Sequence, residues 1–217
     1  MENRGVDLEL RYDLLKSTKD DGLNVTLNFV GNYNKQEIID LGPAGDTPFG
    51  LRVGGVLSEI YAAPLVGVNP ANGNLLFEDI NGDITEDLVG SDQRATGLNL
   101  YPDYQGSFGI DAGFKNFFFT AQFNYAIGVD RFDYDYNGYM DPSAIGQFRH
   151  SRDILDAWQQ PGDITNVPSL NATNLSDIGL SDRDLRESDY TRLRFIQFGY
   201  NLPEKFLVSS SWCPLFF

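Results

Sequence analysis

The chain has 217 residues, of which 31 are acidic and 16 are basic, so its formal net charge is −15. This balance excludes a nucleic-acid binding protein, because phosphate recognition requires basic patches. The mean hydropathy is −0.29, and no apolar run reaches about 18 residues, which excludes helical membrane spans. The single cysteine, Cys213, can form neither an internal disulfide nor a metal cluster.

The first two predicted strands occupy Val6–Leu14 and residues 23–34. In both segments apolar and polar side chains alternate, with Val30 the one apolar residue on the polar side of the second segment. Alternate side chains of an extended chain point to opposite faces, so each strand has an apolar and a polar face. Strands of about 9–11 residues, tilted by about 45°, cross the hydrocarbon layer, whereas strands of soluble proteins are usually shorter.

A long excursion, residues 35–104, follows these strands and contains an acidic, turn-rich segment at residues 67–87. Asp79, Asn81 and Asp83 have the spacing with which the first half of a calcium loop presents oxygen ligands. The match is incomplete, because the sixth and twelfth positions lack the glycine and the glutamate of an EF-type loop. A bound calcium ion is therefore one prediction, and a plain turn rich in Asp and Asn is the alternative.

Three further strands are predicted at residues 106–115, 117–128 and 189–201, with a second long excursion at 129–187. If successive strands are antiparallel, all the short turns lie on one side and both excursions lie on the other. Outer-membrane barrels have short periplasmic turns and long extracellular loops, and long structureless loops are uncommon in compact soluble domains. We therefore predict an all-β fold, an antiparallel transmembrane β-barrel that is present in part and carries long extracellular loops.

The polar face of these strands is predicted to line the interior of the barrel, since the apolar face of a transmembrane barrel meets lipid. Tyr12 and Tyr33 lie at opposite ends of their strands, as aromatic residues that anchor a barrel at the membrane interfaces do. The predicted lumen-facing residues are Asp7, Glu9, Arg11, Thr26, Asn28, Asp111, Gln122 and Asn124. They could contact a substrate or pack against a plug.

The second excursion is rich in aromatic residues that have carboxylates nearby. Tyr134, Tyr136, Tyr139 and Trp158 are candidates for stacking on sugar rings or for contacting a protein partner. Internal packing of a long loop explains them equally well.

We find no catalytic constellation and predict that the chain is not an enzyme. His150 is the only histidine, and Ser151 beside it is not part of a recognisable nucleophile elbow. Phosphate-binding loops, HExxH and CxxC are absent from the sequence. No cofactor is predicted apart from the candidate calcium ion.

Several short segments occur in a characteristic order along residues 3–207. They are Asn3-Arg4-Gly5-Val6-Asp7-Leu8, Gly67-Val68-Asn69-Pro70 with Asn72-Gly73, Asp79-Ile80-Asn81-Gly82-Asp83, Trp158, Pro161-Gly162-Asp163-Ile164-Thr165 with Pro168, Ser188-Asp189-Tyr190-Thr191-Arg192-Leu193-Arg194, and Gly199-Tyr200-Asn201-Leu202-Pro203. In order and spacing, these segments resemble the C-terminal part of the SusC/RagA-like family of TonB-dependent outer-membrane receptors of Bacteroidetes-type bacteria.

The resemblance implies a barrel of about 22 strands with a plugged lumen in the cell outer membrane. It also implies import of oligosaccharides or peptides, driven through TonB, together with a SusD-like surface lipoprotein that closes over the mouth. We expect the plug and the TonB-contacting N-terminal part to lie outside this chain, which would supply barrel wall and loops in contact with membrane lipid.

The sequence departs from the family pattern in two places. The family usually has an additional glycine after the last aspartate of the acidic loop, and its absence after Asp83 weakens the calcium prediction. After Leu207 the chain reads VSSSWCPLFF, where family members form further strands. We therefore expect residues 1–207 to be the barrel portion and residues 208–217 to be a tail left by truncation or a frameshift.

A secreted, calcium-dependent β-sandwich that binds carbohydrate is the alternative. It explains the alternation, the acidity and the acidic loop, but not the placement of the long loops on one side. The two interpretations differ in what covers the apolar strand faces, which is acyl chains in the barrel and a second sheet in the sandwich.

Overall fold

The computed structural model describes residues 1–19, 22–45, 50–175 and 179–203, and the chain divides into two units. The sheet unit comprises Arg4–Asn34, Asp103–Ile127 and the chain from Asp189, and the loop unit comprises Met1–Asn3, Lys35–Pro102 and Gly128–Ser188. The predicted tail at 208–217, with Cys213, lies outside the described residues.

The described strands are numbered in chain order. They are β1 (Glu2–Leu15), β2 (Leu23–Glu37), β3 (Glu59–Ala62), β4 (Leu65–Val68), β5 (Leu75–Glu78), β6 (Ile84–Thr85), β7 (Arg94–Asn99), β8 (Tyr104–Phe114), β9 (Phe117–Ile127), β10 (Asp130–Phe132), β11 (Leu185–Glu187) and β12 (Tyr190–Tyr200). The α-helix α1 spans Tyr134–Met140, and short 3₁₀ turns occur at Gly42–Ala44, Gly90–Asp92, Pro142–Ala144 and Arg152–Asp156. Within the described ranges, no helix is long and apolar enough to cross a membrane.

The sheet unit is one five-stranded sheet in the order β1-β2-β8-β9-β12. The pairings of β2 with β8, β8 with β9 and β9 with β12 are antiparallel. The five strands predicted from the alternation are confirmed, and β1 and β2 extend to 14 and 15 residues. Because β1 and β12 are edge strands, this sheet is an open segment and not a closed barrel.

The apolar face of this sheet is uncovered. Val6 is 65%, Leu10 is 53% and Phe198 is 70% exposed. A β-sandwich requires a second sheet over such a face, and these side chains have none. This exposure agrees with a barrel wall whose apolar face contacts lipid.

Aromatic rings lie towards both ends of the apolar face, and the row at its centre is aliphatic. At the end nearest the long excursions, the rings of Tyr33 and Tyr104 are 5.0 Å apart. At the short-turn end, Phe117 lies 4.7 Å from Tyr200. The central row across the sheet is Leu27, Ile110, Ala121 and Ile196.

An irregularity in β12 keeps most of its apolar residues on the apolar face of the sheet. Leu193 is opposite Phe123, but Phe195 is opposite Gln122, so Arg194 is an extra residue in the ladder. A bulge of this kind shifts the alternation by one residue. It places Ile196, Phe198 and Tyr200 on the same face as Leu193, whereas Phe195 lies on the polar face.

The loop unit has its own secondary structure and a small core, although the sequence suggested only polar excursions. In its sheets, β3 pairs with β7, β4 pairs with β5, β5 also pairs with β6, and β10 pairs with β11. Leu75 and Phe77 of β5 are fully buried, and Val129 is nearly so. These segments are therefore folded loops whose alternating residues bury an apolar side.

Candidate functional site

The polar face of the sheet carries a ladder of side-chain hydrogen bonds centred on Asp111. Asn28 donates from Nδ2 to Asp111 Oδ2 at 3.2 Å, and Thr120 donates from Oγ1 to Asp111 Oδ1 at 2.9 Å. The three residues come from β2, β8 and β9, whose register places Thr26, Asp111 and Thr120 in one row. The carboxylate is thus held in place by two neighbouring strands.

Further hydrogen bonds extend this polar face. Asn32 donates to Asp7 at 2.6 Å, Thr26 donates to Asp13 at 2.9 Å, and Gln122 donates to Ser107 at 3.4 Å. The predicted lumen residues Asp7, Thr26, Asn28, Asp111 and Gln122 therefore lie in this ladder. Asn124 is opposite Ser107 in the register, and the alternation of β1 puts Glu9 and Arg11 on the face of Asp7.

The list of predicted lumen-facing residues omits four members of the ladder, namely Asp13, Asn32, Ser107 and Thr120. Each of them lies on the polar side of its alternating strand, so the same periodicity would have identified them. Their assignment to a lumen remains a prediction.

The acidic loop has the geometry of a turn. Asp79 Oδ1 accepts hydrogen bonds from the backbone amides of Asn81 and Asp83, both at 2.8 Å. The amide of Asp83 is the main cause that lowers the pKa of Asp79. Among the described residues, no three His, Cys, Asp or Glu side chains gather as a metal site would require. The geometry favours the turn, and calcium binding at Asp79, Asn81 and Asp83 stays a prediction.

A second carboxylate, Glu86, is the centre of a polar cluster that the sequence analysis did not identify. Its oxygens accept hydrogen bonds from Nδ2 of Asn69 at 2.6 Å, of Asn72 at 2.8 and 3.1 Å, and of Asn74 at 2.7 Å. Asn174 also donates to the backbone oxygen of Glu86 at 2.8 Å. These amides favour the ionised carboxylate and lower the pKa of Glu86.

The four aromatic residues predicted to contact a substrate or partner differ in their surroundings. Tyr134 and Tyr139 are 61% and 54% exposed. Tyr136 donates from its hydroxyl to Asp153 at 3.0 Å, and burial, followed by the hydrogen bond to Asp153, raises the pKa of Tyr136. Trp158 donates from Nε1 to the backbone oxygen of Pro70 at 3.2 Å. The first two are free to contact a ligand, whereas the other two take part in the packing of the loop unit.

A cleft of about 380 Å³ lies beside α1 in the loop unit, and a second of about 230 Å³ lies nearby. Both are lined by Met140 and Arg183. The larger cleft also presents Asn137 and Asp141, and the smaller one Asp184. The lining combines apolar, amide and charged groups, which suits a polar ligand with some apolar surface.

Comparison with known proteins yields no matching family model. The chain is 31% identical over 202 residues to TonB-dependent receptor P39 of Formosa agariphila, a match that covers 92% of this chain and 18% of that protein. It is 27% identical over 233 residues to TonB-dependent receptor P3 of the same bacterium, covering 95% of this chain and 22% of that protein.

Solved structures of the RagAB peptide transporter share the fold. One has a TM-score of 0.77 at 22% identity and covers 96% of this chain and 24% of that chain. The RagAB peptide importer in its open-open state gives a TM-score of 0.78 at the same identity. The chain belongs with the TonB-dependent receptors that it matches in sequence. It spans about a fifth of the length of the curated relatives it matches. The predicted fold, an all-β antiparallel part of a receptor barrel, is confirmed.

Proposed function

We propose that the receptor containing this chain is an outer-membrane, TonB-linked importer of oligosaccharides or peptides that works with a SusD-like surface lipoprotein. The chain contributes a section of barrel wall and two loops, with residues 1–207 as the barrel portion and 208–217 as a tail. The TonB contact and the plug belong to other parts of the receptor. Family membership and the fold shared with the RagAB peptide transporter support this proposal.

The exposed apolar face of the five-stranded sheet is the observation that carries the proposal. Leu23 and Tyr33 mark its two ends on β2, where they pair with Phe114 and Tyr104. Ten residues of strand span about 34 Å, which a tilt of about 45° reduces to about 24 Å across the bilayer. The apolar band of outer-membrane barrels is about 25 Å tall and has aromatic girdles at both interfaces.

A matched pair of cysteine variants tests this orientation in the receptor. Leu27 lies on the apolar face and Asn28, its neighbour, on the polar face. A fluorophore on Leu27→Cys should be quenched by brominated lipids, whereas the same fluorophore on Asn28→Cys should not. Equal quenching at both positions would contradict a lipid-facing wall.

Uptake measurements test the transport role. Cells that express the receptor should take up labelled oligosaccharides or peptides that are too large for porins, and uptake should be lost when TonB or the neighbouring lipoprotein is deleted. Uptake that persists in both deletion strains would contradict the proposal. Comparing the two labelled ligand classes then identifies the substrate class.

Tyr134 and Tyr139 are the residues through which we propose that the loop unit contacts substrate or lipoprotein. Both rings are exposed, and exposed aromatic residues are frequent anchors of binding surfaces. Replacing both by alanine should lower uptake about tenfold, which corresponds to about 1.4 kcal/mol. Tyr101→Ala is the control, because this tyrosine is equally exposed at 57% in the same unit. The same loss in the control would refute a specific role.

A further inference from the structure

Arginines gather around the smaller cleft of the loop unit. Arg183 and Arg186 line this cleft, and Arg131 is directly opposite Arg186 where β10 pairs with β11. The loop unit has 22 acidic and only 8 basic residues, so three of its few basic side chains belong to one place. Residues that are directly opposite in an antiparallel pair share a face, where like charges destabilise the pairing. An anion bound beside these guanidinium groups relieves that repulsion.

The guanidinium of Arg186 is held in a fixed orientation. Its Nη1 donates to two preceding backbone oxygens at 2.7 and 2.8 Å, and its Cζ lies 5.9 Å from the centre of the Tyr136 ring. Both hydrogen bonds use Nη1, and within the described ranges the edge formed by Nε and Nη2 has no acceptor. This edge suits a carboxylate, because the same edge of Arg52 binds Glu59 in a bidentate manner at 3.0 and 2.7 Å.

A buried carboxylate in the wall of the cleft supplies an acceptor. Asp184 is 3% exposed, and its Oδ2 accepts a hydrogen bond from Asn137 Nδ2 at 2.8 Å, which fixes its position. Because Asp184 lines the cleft, its carboxylate attracts an N–H or O–H donor of a ligand. A ligand that suits Arg186 and Asp184 together therefore carries a carboxylate and, close to it, a hydrogen-bond donor.

The remaining lining of the cleft is largely apolar, and the cleft is small. Its apolar residues are Leu65, Met140, Val167 and Pro168. The volume of about 230 Å³ is below the roughly 300–1,000 Å³ of pockets that hold a drug-sized ligand. The cleft therefore suits one terminal unit of a longer ligand, with carbon atoms next to the carboxylate.

The surroundings of the cleft disfavour a ligand with many negative charges. The loop unit has a large excess of acidic residues, and one of them, Asp153, accepts a hydrogen bond from the Tyr136 hydroxyl at 3.0 Å. Such a surface repels a polyanion at a distance. A ligand with a single carboxylate meets less repulsion and still gains the contact with the arginines.

We propose that this cleft binds a single carboxylate of the imported ligand through Arg186, with Arg183 adding positive charge and Asp184 accepting a hydrogen bond from the adjacent N–H or O–H group. The C-terminal residue of a peptide has this chemistry, and so does a uronic acid residue of an oligosaccharide. The inference rests on the proposed function and deepens it, since it specifies which chemical group of the substrate the loop unit selects.

Matched ligands test the proposal on the purified receptor. One pair is the peptide Ala-Ala-Leu with a free C-terminal carboxylate and with a C-terminal amide. The other pair is a disaccharide of glucuronic acid and glucose and its neutral counterpart, a disaccharide of two glucose units. In at least one pair the carboxylate form should bind about tenfold more tightly in calorimetry. The pair that shows the difference identifies the source of the carboxylate, and no preference in either pair would overturn the proposal.

Variants of Arg186 locate the preference in the cleft. Arg186→Gln lacks both the charge and the bidentate edge, so the preference for the carboxylate form should fall below about twofold. Arg186→Lys keeps the charge alone and should retain only part of the preference. Arg149→Gln is the matched control, because Arg149 is an exposed arginine of the same unit outside the lining. A wild-type preference in Arg186→Gln, or an equal loss in Arg149→Gln, would overturn the proposal.

A modification experiment decides if Arg186→Gln loses the protease resistance of the loop unit. In the wild-type receptor, phenylglyoxal should react with Arg186 several-fold more slowly in the presence of the preferred carboxylate ligand than in the presence of its neutral counterpart. Equal rates would refute the site. Uptake that does not depend on TonB would instead refute the proposed function, and it would leave the ligand preference of the cleft unchanged.

Discussion

The hydroxyl of Tyr125 lies over Gly106, the residue opposite Tyr125 in β8. A Cβ atom placed on Gly106 would stand 2.8 Å from the Tyr125 hydroxyl. Gly31, the partner of Gly106 on β2, has the same hydroxyl 3.2 Å from its own Cβ position. Tyr125 thus helps to fill the space that two glycines leave open in neighbouring strands, together with the Phe29 ring, which is 2.9 Å from the Gly31 position. Such an arrangement stabilises glycine-containing sheets.

Replacing Tyr125 by alanine should uncover both glycines and lower the free energy of unfolding of the receptor by about 1–2 kcal/mol. Tyr125→Phe keeps the ring and should cost much less, because the hydroxyl is 3.5 Å from the backbone oxygen of Val30. Urea titration of the heat-modifiable receptor in detergent measures the difference. Equal midpoints for the alanine and phenylalanine variants would contradict the covering role.

The bulge in β12 allows a prediction about the register of this strand. Deleting Gln197, which lies beyond the bulge, keeps the extra residue and shifts the strand by one position, so Phe198 and Tyr200 should turn to the polar face. Moving two large aromatic side chains into a polar lumen costs several kcal/mol, at about 1.5–3 kcal/mol for each side chain. The deletion variant should therefore fail to assemble, as judged by loss of the compact heat-modifiable band.

Deletion of Arg194 is the control, because it removes the extra residue of the bulge and leaves Ile196 opposite Ala121 in a regular ladder. It should assemble at the wild-type level. A variant lacking Gln197 that assembles with the heat stability of the wild type would show that the register of β12 is wrong.

The strands could be predicted from the sequence, but the bulge could not, and the reason is physical. A period of two residues is a local property, so Val6–Leu14 and residues 117–128 could be identified from the chain alone. Register depends on the partner strand, and nothing local indicates that Leu193 and Ile196 share a face. Phe195 on the polar face was therefore missed.

Hydrogen bonds between residues that are far apart in the chain explain why the sequence analysis missed the Glu86 cluster. Glu86 binds three asparagine side chains that lie 12 to 17 residues before it. Asn174 hydrogen-bonds Leu75 across 99 residues. Such pairs form only after the loop unit has folded, whereas the turn that begins at Asp79 is local and was recognised as an alternative to a calcium site.

The Glu86 cluster predicts a pH dependence of the loop unit. Hydrogen bonds from Asn74, Asn69 and Asn72 lower the pKa of Glu86 below the ordinary value of 4.5. A carboxyl group with a lowered pKa in the folded state adds stability above its unfolded pKa and loses it as the pH falls through the folded value. The resistance of the loop unit to protease should therefore decline below about pH 4.5.

Glu86→Gln isolates this contribution from the other carboxylates. Glutamine has nearly the same shape but no charge, and one of its terminal groups becomes a donor that faces asparagine donors. The variant should be less resistant than the wild type at pH 7, and the difference should shrink as the wild type becomes protonated. A constant difference from pH 7 to pH 3 would exclude Glu86 as the titrating group.

The packing of Trp158 on Gly73 gives the last prediction. Gly73 has φ of +79°, and a Cβ atom there would lie 2.6 Å from the Trp158 ring and 2.6 Å from Ser169 Cβ. Gly73→Ala therefore combines a left-handed backbone, which costs about 1–2 kcal/mol, with overpacking, which costs about 1–3 kcal/mol. Gly82→Ala is the matched control, because Gly82 has φ of +90° and open space around its Cβ position. Protease resistance of the loops should fall further in Gly73→Ala than in Gly82→Ala. Equal losses would mean that the ring of Trp158 does not pack where it is placed.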